Sequence, residues 1–228
     1  MTKRGISLFF IFLFSITILF GQDIITAENY LKMVSETYAS IRDYEATITI
    51  RSGNSEMIGN ASYLTPNFMR IDFTRPAEQV IVFNGEALIV YLPEYRAVLN
   101  QAVNKRSGAA TGAGLASSQG LSLLSRNYVS SFLTGPNPEP LDGTSGERVM
   151  KLRLTRRTIA EGFRELTLSI NPDTKLIRRI EGRTIAEGEL RFDFANIRTN
   201  VGIPEARFAY DTPASANMYN NFLFRDAD

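Results

Sequence analysis

The chain contains no cysteine and no histidine among its 228 residues. Without them there is no disulfide, no thiolate nucleophile, no Cys/His zinc site and no Ser-His-Asp triad. An excess of one charge is also missing. With 25 basic and 24 acidic residues the net charge is +1, and no Lys/Arg run is interleaved with aromatics, so a nucleic-acid-binding surface is excluded. The acidic residues always leave carboxylate pairs for acid–base chemistry, but no pattern selects one, and solvated surface charge accounts for them. Gly108, Gly112 and Gly114 lack the spacing of a dinucleotide loop. No catalytic constellation, metal cluster or cofactor motif is visible.

Long apolar runs are confined to the N-terminus. Lys3 and Arg4 precede an apolar stretch from Ile6 to Phe20, followed by Gly21. This is shorter than the ~20 residues of a spanning helix and fits a secretory signal peptide over residues 1–22, with one domain over 23–228. Leu19 and Phe20 stand where cleavage favours small residues, which leaves an uncleaved N-terminal anchor as the alternative. Either way the body of the protein is expected to be exported. With no cysteine near residue 22, it is not itself a lipid-modified lipoprotein.

What the sequence has in quantity is alternation. Met69, Ile71 and Phe73 alternate with Phe68, Arg70, Asp72 and Thr74, and Tyr44, Ala46, Ile48 and Ile50 alternate with polar residues. Leu166, Leu168 and Ile170, then Leu190, Phe192 and Phe194, repeat the pattern later in the chain. Pro66, Pro76, Asn84-Gly85 and Pro93 punctuate the first half at intervals of roughly ten residues, the signature of an antiparallel meander. Expected strands are 44–51, 57–65, 67–74, 79–83, 87–92, 96–100, 148–158, 163–171, 175–185, 189–197 and 206–210. Arg157–Gly162 recurs as Arg183–Gly188, two hairpin turns on one rim with Asn171-Pro172-Asp173 on the other.

Two amphipathic helices are expected. Residues 26–41 carry Tyr30, Val34, Tyr38 and Ile41 on one stripe behind a Thr26 cap. Residues 120–134 carry Leu121, Leu124, Tyr128 and Phe132, and follow a Gly/Ala/Ser-rich loop over 102–120. The expected fold is mainly β: an unclosed, half-barrel antiparallel sheet of about eleven strands with a helical lid over its concave apolar face. Eight strands are about filled by their own side chains, so a longer open sheet leaves a larger concavity. In an exported protein without catalytic groups, such a concavity suits an acyl chain.

The segment Gly59 to Val98 adds a resemblance. Pro66-Asn67, Phe68-Met69-Arg70-Ile71, Pro76, the Asn84-Gly85 turn and Tyr91-Leu92-Pro93 stand in the order and spacing of the periplasmic outer-membrane lipoprotein carriers, the LolA-like lipoprotein-sorting proteins. The helix running into Asp43-Tyr44-Glu45-Ala46 and the closing Phe208–Pro213 fit as well. The resemblance implies a periplasmic, non-enzymatic, cofactor-free monomer. It would take acylated lipoproteins from an inner-membrane releasing transporter and pass them to an outer-membrane acceptor. The expected acyl-chain lining is Met69, Ile71, Phe73, Ile48, Ile50, Leu166, Leu168, Phe192 and Phe194. The expected lid underside is Tyr30, Val34, Tyr38, Leu124 and Tyr128. For each of these residues ordinary core packing is the alternative to ligand contact. One departure stands out: better-known members have Arg before the proline matching Pro66, where it helps tie the lid shut, and this chain has Thr65. Other readings of the same fold are a lipid- or lipoprotein-sensing or scaffold protein, and an enzyme using the cavity as a substrate pocket.

Overall fold

The computed structural model describes residues 25–102, 112–143, 146–159, 162–184 and 188–222. The expected signal segment, residues 103–111 of the Gly-rich stretch, and residues 160–161 and 185–187 of the two repeated turns lie outside them. The described chain begins with α1 (Ala27–Ser40), capped by the Thr26 hydroxyl, which accepts the Asn29 N–H at 3.2 Å. The cap satisfies a donor that the first helical turn cannot.

A six-strand meander follows: β1 (Asp43–Ser52), β2 (Ser55–Leu64), β3 (Phe68–Arg75), β4 (Ala77–Phe83), β5 (Ala87–Leu92) and β6 (Ala97–Ala102). After α2 (Ser118–Asn127) come β7 (Tyr128–Phe132), β8 (Glu139–Pro140), β9 (Arg148–Arg156), β10 (Phe163–Ile170), β11 (Ile177–Thr184), β12 (Glu189–Thr199) and the short β13 (Asn217–Asn220). The sheet order is β13-β6-β5-β4-β3-β2-β1-β12-β11-β10-β9-β7, with β8 attached to β9. β1 pairs with both β2 and β12, which joins the two meanders into one sheet. Its ends, β13 and β7, do not pair with each other, so the sheet stays open.

Directly opposed residues of an antiparallel pair share a face. Ile50 stands opposite Met57 and Phe192, Ile71 opposite Ala61 and Ile81, and Leu168 opposite Leu152 and Ile180. The two helices lie over the resulting apolar face. A network of buried polar atoms fixes where α1 enters the sheet: the fully buried Asp43 carboxylate accepts the Val201 N–H at 2.7 Å and the Gly202 N–H at 3.1 Å.

Besides the short unexpected strands β8 and β13, the latter parallel to β6, the structure departs from the sequence expectation in three places. The second helix does not run from 120 to 134. It starts earlier, at Ser118, and ends at Asn127, after which Tyr128–Phe132 form an edge strand on β9. Tyr128 and Phe132 are four residues apart, and that spacing fits one face of a helix as well as one face of a strand. Part of the Gly-rich segment is packed rather than loose: Leu115, Ala116 and Ser117 are buried, and a Cβ on Gly120 would lie 2.4 Å from the Gly114 carbonyl oxygen. Glycine is what lets α2 start so close to the turn before it.

Residues 206–210 form no strand. Glu205–Phe208 make a short 3-10 turn that crosses the convex face, where Phe208 and Ile203 bury Val80 and Val82. β4 is apolar on both faces: Val80 and Val82 are buried under the strap, while Ile81 and Phe83 on the concave face are half-buried. Arg70, also on the convex face, clamps this strap. It grips Asp72 through Nε at 3.0 Å and Nη2 at 2.8 Å, and it donates to the Arg207 and Ala209 carbonyls at 3.1 and 3.0 Å. Arg207 also donates to Asp72.

Burial alone would raise the pKa of Asp72, but hydrogen bonds and charge from Arg70 and Arg207 outweigh it and hold the carboxyl below its ordinary value. A depressed folded pKa stabilises the protein above the unfolded value, about 3.9, and that contribution is lost as pH falls through the folded value. Asp72→Asn is therefore expected to lower the melting temperature at pH 7 and to flatten its decline below about pH 4. Thermal melts of both proteins across that range measure it. Parallel curves would show that the Asp72 charge does not hold the strap.

Candidate functional site

Every residue expected to line the concave face or the underside of the lid falls in one continuous apolar cluster. Met69, Ile71 and Phe73 come from β3, Ile48 and Ile50 from β1, Leu166 and Leu168 from β10, and Phe192 and Phe194 from β12. Tyr30, Val34 and Tyr38 come from α1 and Leu124 from α2, while Tyr128 arrives from β7 rather than from a helix. The cluster is sealed. Val34, Ile48 and Leu168 have 0% of their surface accessible and Ile71 has 2%, so no water-sized space separates helices from sheet at these points. In this conformation these side chains are packed core, and an apolar ligand would reach them only by displacing the helices.

Tyrosines fasten the helices. The Ile177 N–H donates to Tyr38 Oη at 3.0 Å, which ties α1 to the start of β11. Tyr44 Oη donates to the Ala116 carbonyl at 2.9 Å, which ties β1 to the turn before α2. Tyr38 meets Tyr44 edge-on at 6.4 Å between centroids, and Tyr44 stacks on Tyr63 at 5.2 Å. Burial pushes the Tyr38, Tyr44 and Tyr63 hydroxyls above their ordinary pKa, so all three remain neutral. Beside the cluster, the Thr65 N–H donates to the Arg42 carbonyl at 2.8 Å, and Tyr63 Oη donates to the Pro66 carbonyl at 3.1 Å. The described contacts of the helices are thus neutral hydrogen bonds and ring contacts, with Lys175 Nζ 5.5 Å from the centroid of the Tyr30 ring.

Beyond the helices the same face continues as a half-buried apolar wall. Register places Ile81 and Phe83 opposite Val90 and Leu88, and Val90 opposite Leu99, all on the concave side of β4, β5 and β6. None of these five is fully buried. They are not among the residues expected to line the site, although the Asn84-Gly85 turn fixes their register and could have identified them. On the outer face, a recess of about 270 Å³ is bordered by Glu45, Thr47, Asn60, Ser62, Asn196, Arg198 and Arg207. Its arginines are already paired, Arg198 with Glu45 and Arg207 with Asp72. Among the described residues no group of His, Cys, Asp or Glu could hold a metal ion, and no helix is long and apolar enough to cross a membrane.

An open antiparallel sheet with helices laid over an apolar concave face defines a lidded half-barrel. The chain belongs to the LolA family, outer membrane lipoprotein carrier protein, whose family model matches residues 51–211. Two relatives are each called "outer-membrane lipoprotein carrier protein". The one from Bordetella avium is 24% identical, covering 84% of this chain and 86% of its own length. The one from Chromobacterium violaceum is 24% identical, covering 77% and 78%. Among solved structures, an uncharacterized conserved protein from Thermus thermophilus shares the fold with a TM-score of 0.55. It is 13% identical and the match covers 85% of this chain and 98% of that one.

Proposed function

We propose that this protein is a carrier that shelters the acyl chains of lipoproteins against its concave face and moves them from the inner to the outer membrane. The observation that carries this reading is the continuous apolar face, sealed under the helices and half-buried along β4–β6, in a chain of the lipoprotein-carrier family. Each CH₂ removed from water contributes roughly 0.8 kcal/mol, so even part of an acyl chain offsets the loss of helix packing. A donor transporter in the inner membrane and an acceptor in the outer membrane would set the direction of transfer, with the carrier acting as a monomer. In keeping with that route, residues 1–22 act as a signal peptide, and the protein purified from the cell envelope should begin near Gln22 or Asp23.

Native mass spectrometry of the protein purified from its own periplasm tests the reading. Co-purified acylated lipoprotein is the expected result, and transfer of that cargo to outer-membrane vesicles should follow. Cargo that binds but never transfers would favour a sensor or scaffold on the same fold. A protein that carries no acyl chain and takes up none in solution would overturn the carrier.

A further inference from the structure

At the rim where β9 turns into β10, the concave face changes character. Arg156 stands two residues beyond Leu154 on β9 and directly opposite Tyr128 on β7, and both of those residues belong to the inner cluster. Its side chain therefore projects to the concave side. Its Nη1 is shielded from solvent and has no hydrogen-bond partner, and among the described residues no ion pair involves it. Arg153, on the opposite face of the same strand, has Glu165 at 3.7 Å. A shielded guanidinium nitrogen with no acceptor is costly, which makes Arg156 unlike the other arginines of the sheet.

The surface beside it is apolar and only half-buried. Phe163 packs over Gly182 so closely that a Cβ there would lie 2.7 Å from the ring. Leu190 stands opposite Gly182, and Met57 stands opposite Ile50 further round the same rim. All three are packed against the inner cluster without being enclosed by it. With strands ~4.8 Å apart, Leu190 is about three strand spacings from Arg156, well within the length of an acyl chain.

We infer that Arg156 is the head-group anchor of this site, and that the preferred ligand is an acyl amphiphile with an anionic head, a phosphate or carboxylate. The tail runs along Phe163 and Leu190, and the guanidinium fork takes the head-group oxygens. The inference rests on the carrier reading above and adds a charge selectivity that burial of acyl chains does not require.

Displacement of a neutral fluorescent acyl probe by dodecyl phosphate and by monolauroylglycerol, both below micelle formation, provides the test. Wild-type protein should bind dodecyl phosphate about tenfold more tightly than the neutral lipid. Arg156→Gln should bind the two alike, with its affinity for the neutral lipid unchanged and its ligand-free melting temperature equal or higher. Arg156→Lys should keep part of the preference. A preference that survives in Arg156→Gln, or a parallel loss of both ligands, overturns the anchor. Inorganic phosphate alone should not displace the probe; displacement that depends on Arg156 would point to a free-anion site and overturn the amphiphile. Wild-type protein that binds the neutral lipid without preference refutes this inference and leaves the carrier standing, whereas binding of neither lipid refutes both.

Discussion

Ile71→Glu is expected to lower the melting temperature by about 20 °C or to prevent folding. Ile71 is 2% accessible and sits between Ala61 and Ile81 beneath the helices. A carboxylate there would stand between the apolar side chains of Ala61 and Ile81, so it must be protonated at a pKa raised by several units or drag water into the core. Protonating an ordinary glutamate at neutral pH costs about 4 kcal/mol, with about 2 kcal/mol more from the lost isoleucine burial. Such a sum rivals the whole stability of an ordinary domain. Arg70→Glu, one residue away on the convex face, should instead free the strap at residues 203–210 and leave the inner cluster closed. Thermal melts of the two variants, with limited proteolysis of the C-terminal segment, separate these outcomes. An Ile71→Glu protein that melts near the wild-type temperature would mean that the helices stand off the sheet in solution.

Removing both tyrosine hydroxyls that fasten the helices should make the protein bind acyl chains more tightly, not less. In Tyr38→Phe/Tyr44→Phe the rings keep their packing, while the Ile177 N–H and the Ala116 carbonyl lose their partners. Each unmade hydrogen bond costs about 1–3 kcal/mol when buried, and this cost falls on the closed state. A ligand that binds only after the helices move has its apparent affinity reduced by the small open fraction. Enlarging that fraction should raise affinity for a fluorescent fatty acid by about tenfold or more, and speed amide exchange across α1 by a similar factor. Exchange that quickens with no gain in affinity would show that helix opening and ligand entry are not coupled.

Sequence alone determined the inner face. An alternation of period two leaves no freedom: once Ile48, Ile71, Leu168 and Phe194 are assigned inward, a shift of one residue would expose the whole set, and all four are buried in one cluster. The helix over residues 27–40 was legible because its cap and its stripe are local signals. Tertiary structure decided what local patterns share between two answers. The four-residue spacing of Tyr128 and Phe132 suits a helix or a strand, and only pairing with β9 made it a strand. The apolar run at residues 80–83 could not show which of its faces is covered by the rest of the chain, because the strap that buries Val80 and Val82 comes from residues 203–208, far along the chain. Whether the concave face is filled or hollow depends on how closely two helices approach the sheet. That distance is set by the tyrosine contacts and by Gly120, through neighbours brought together only by the fold.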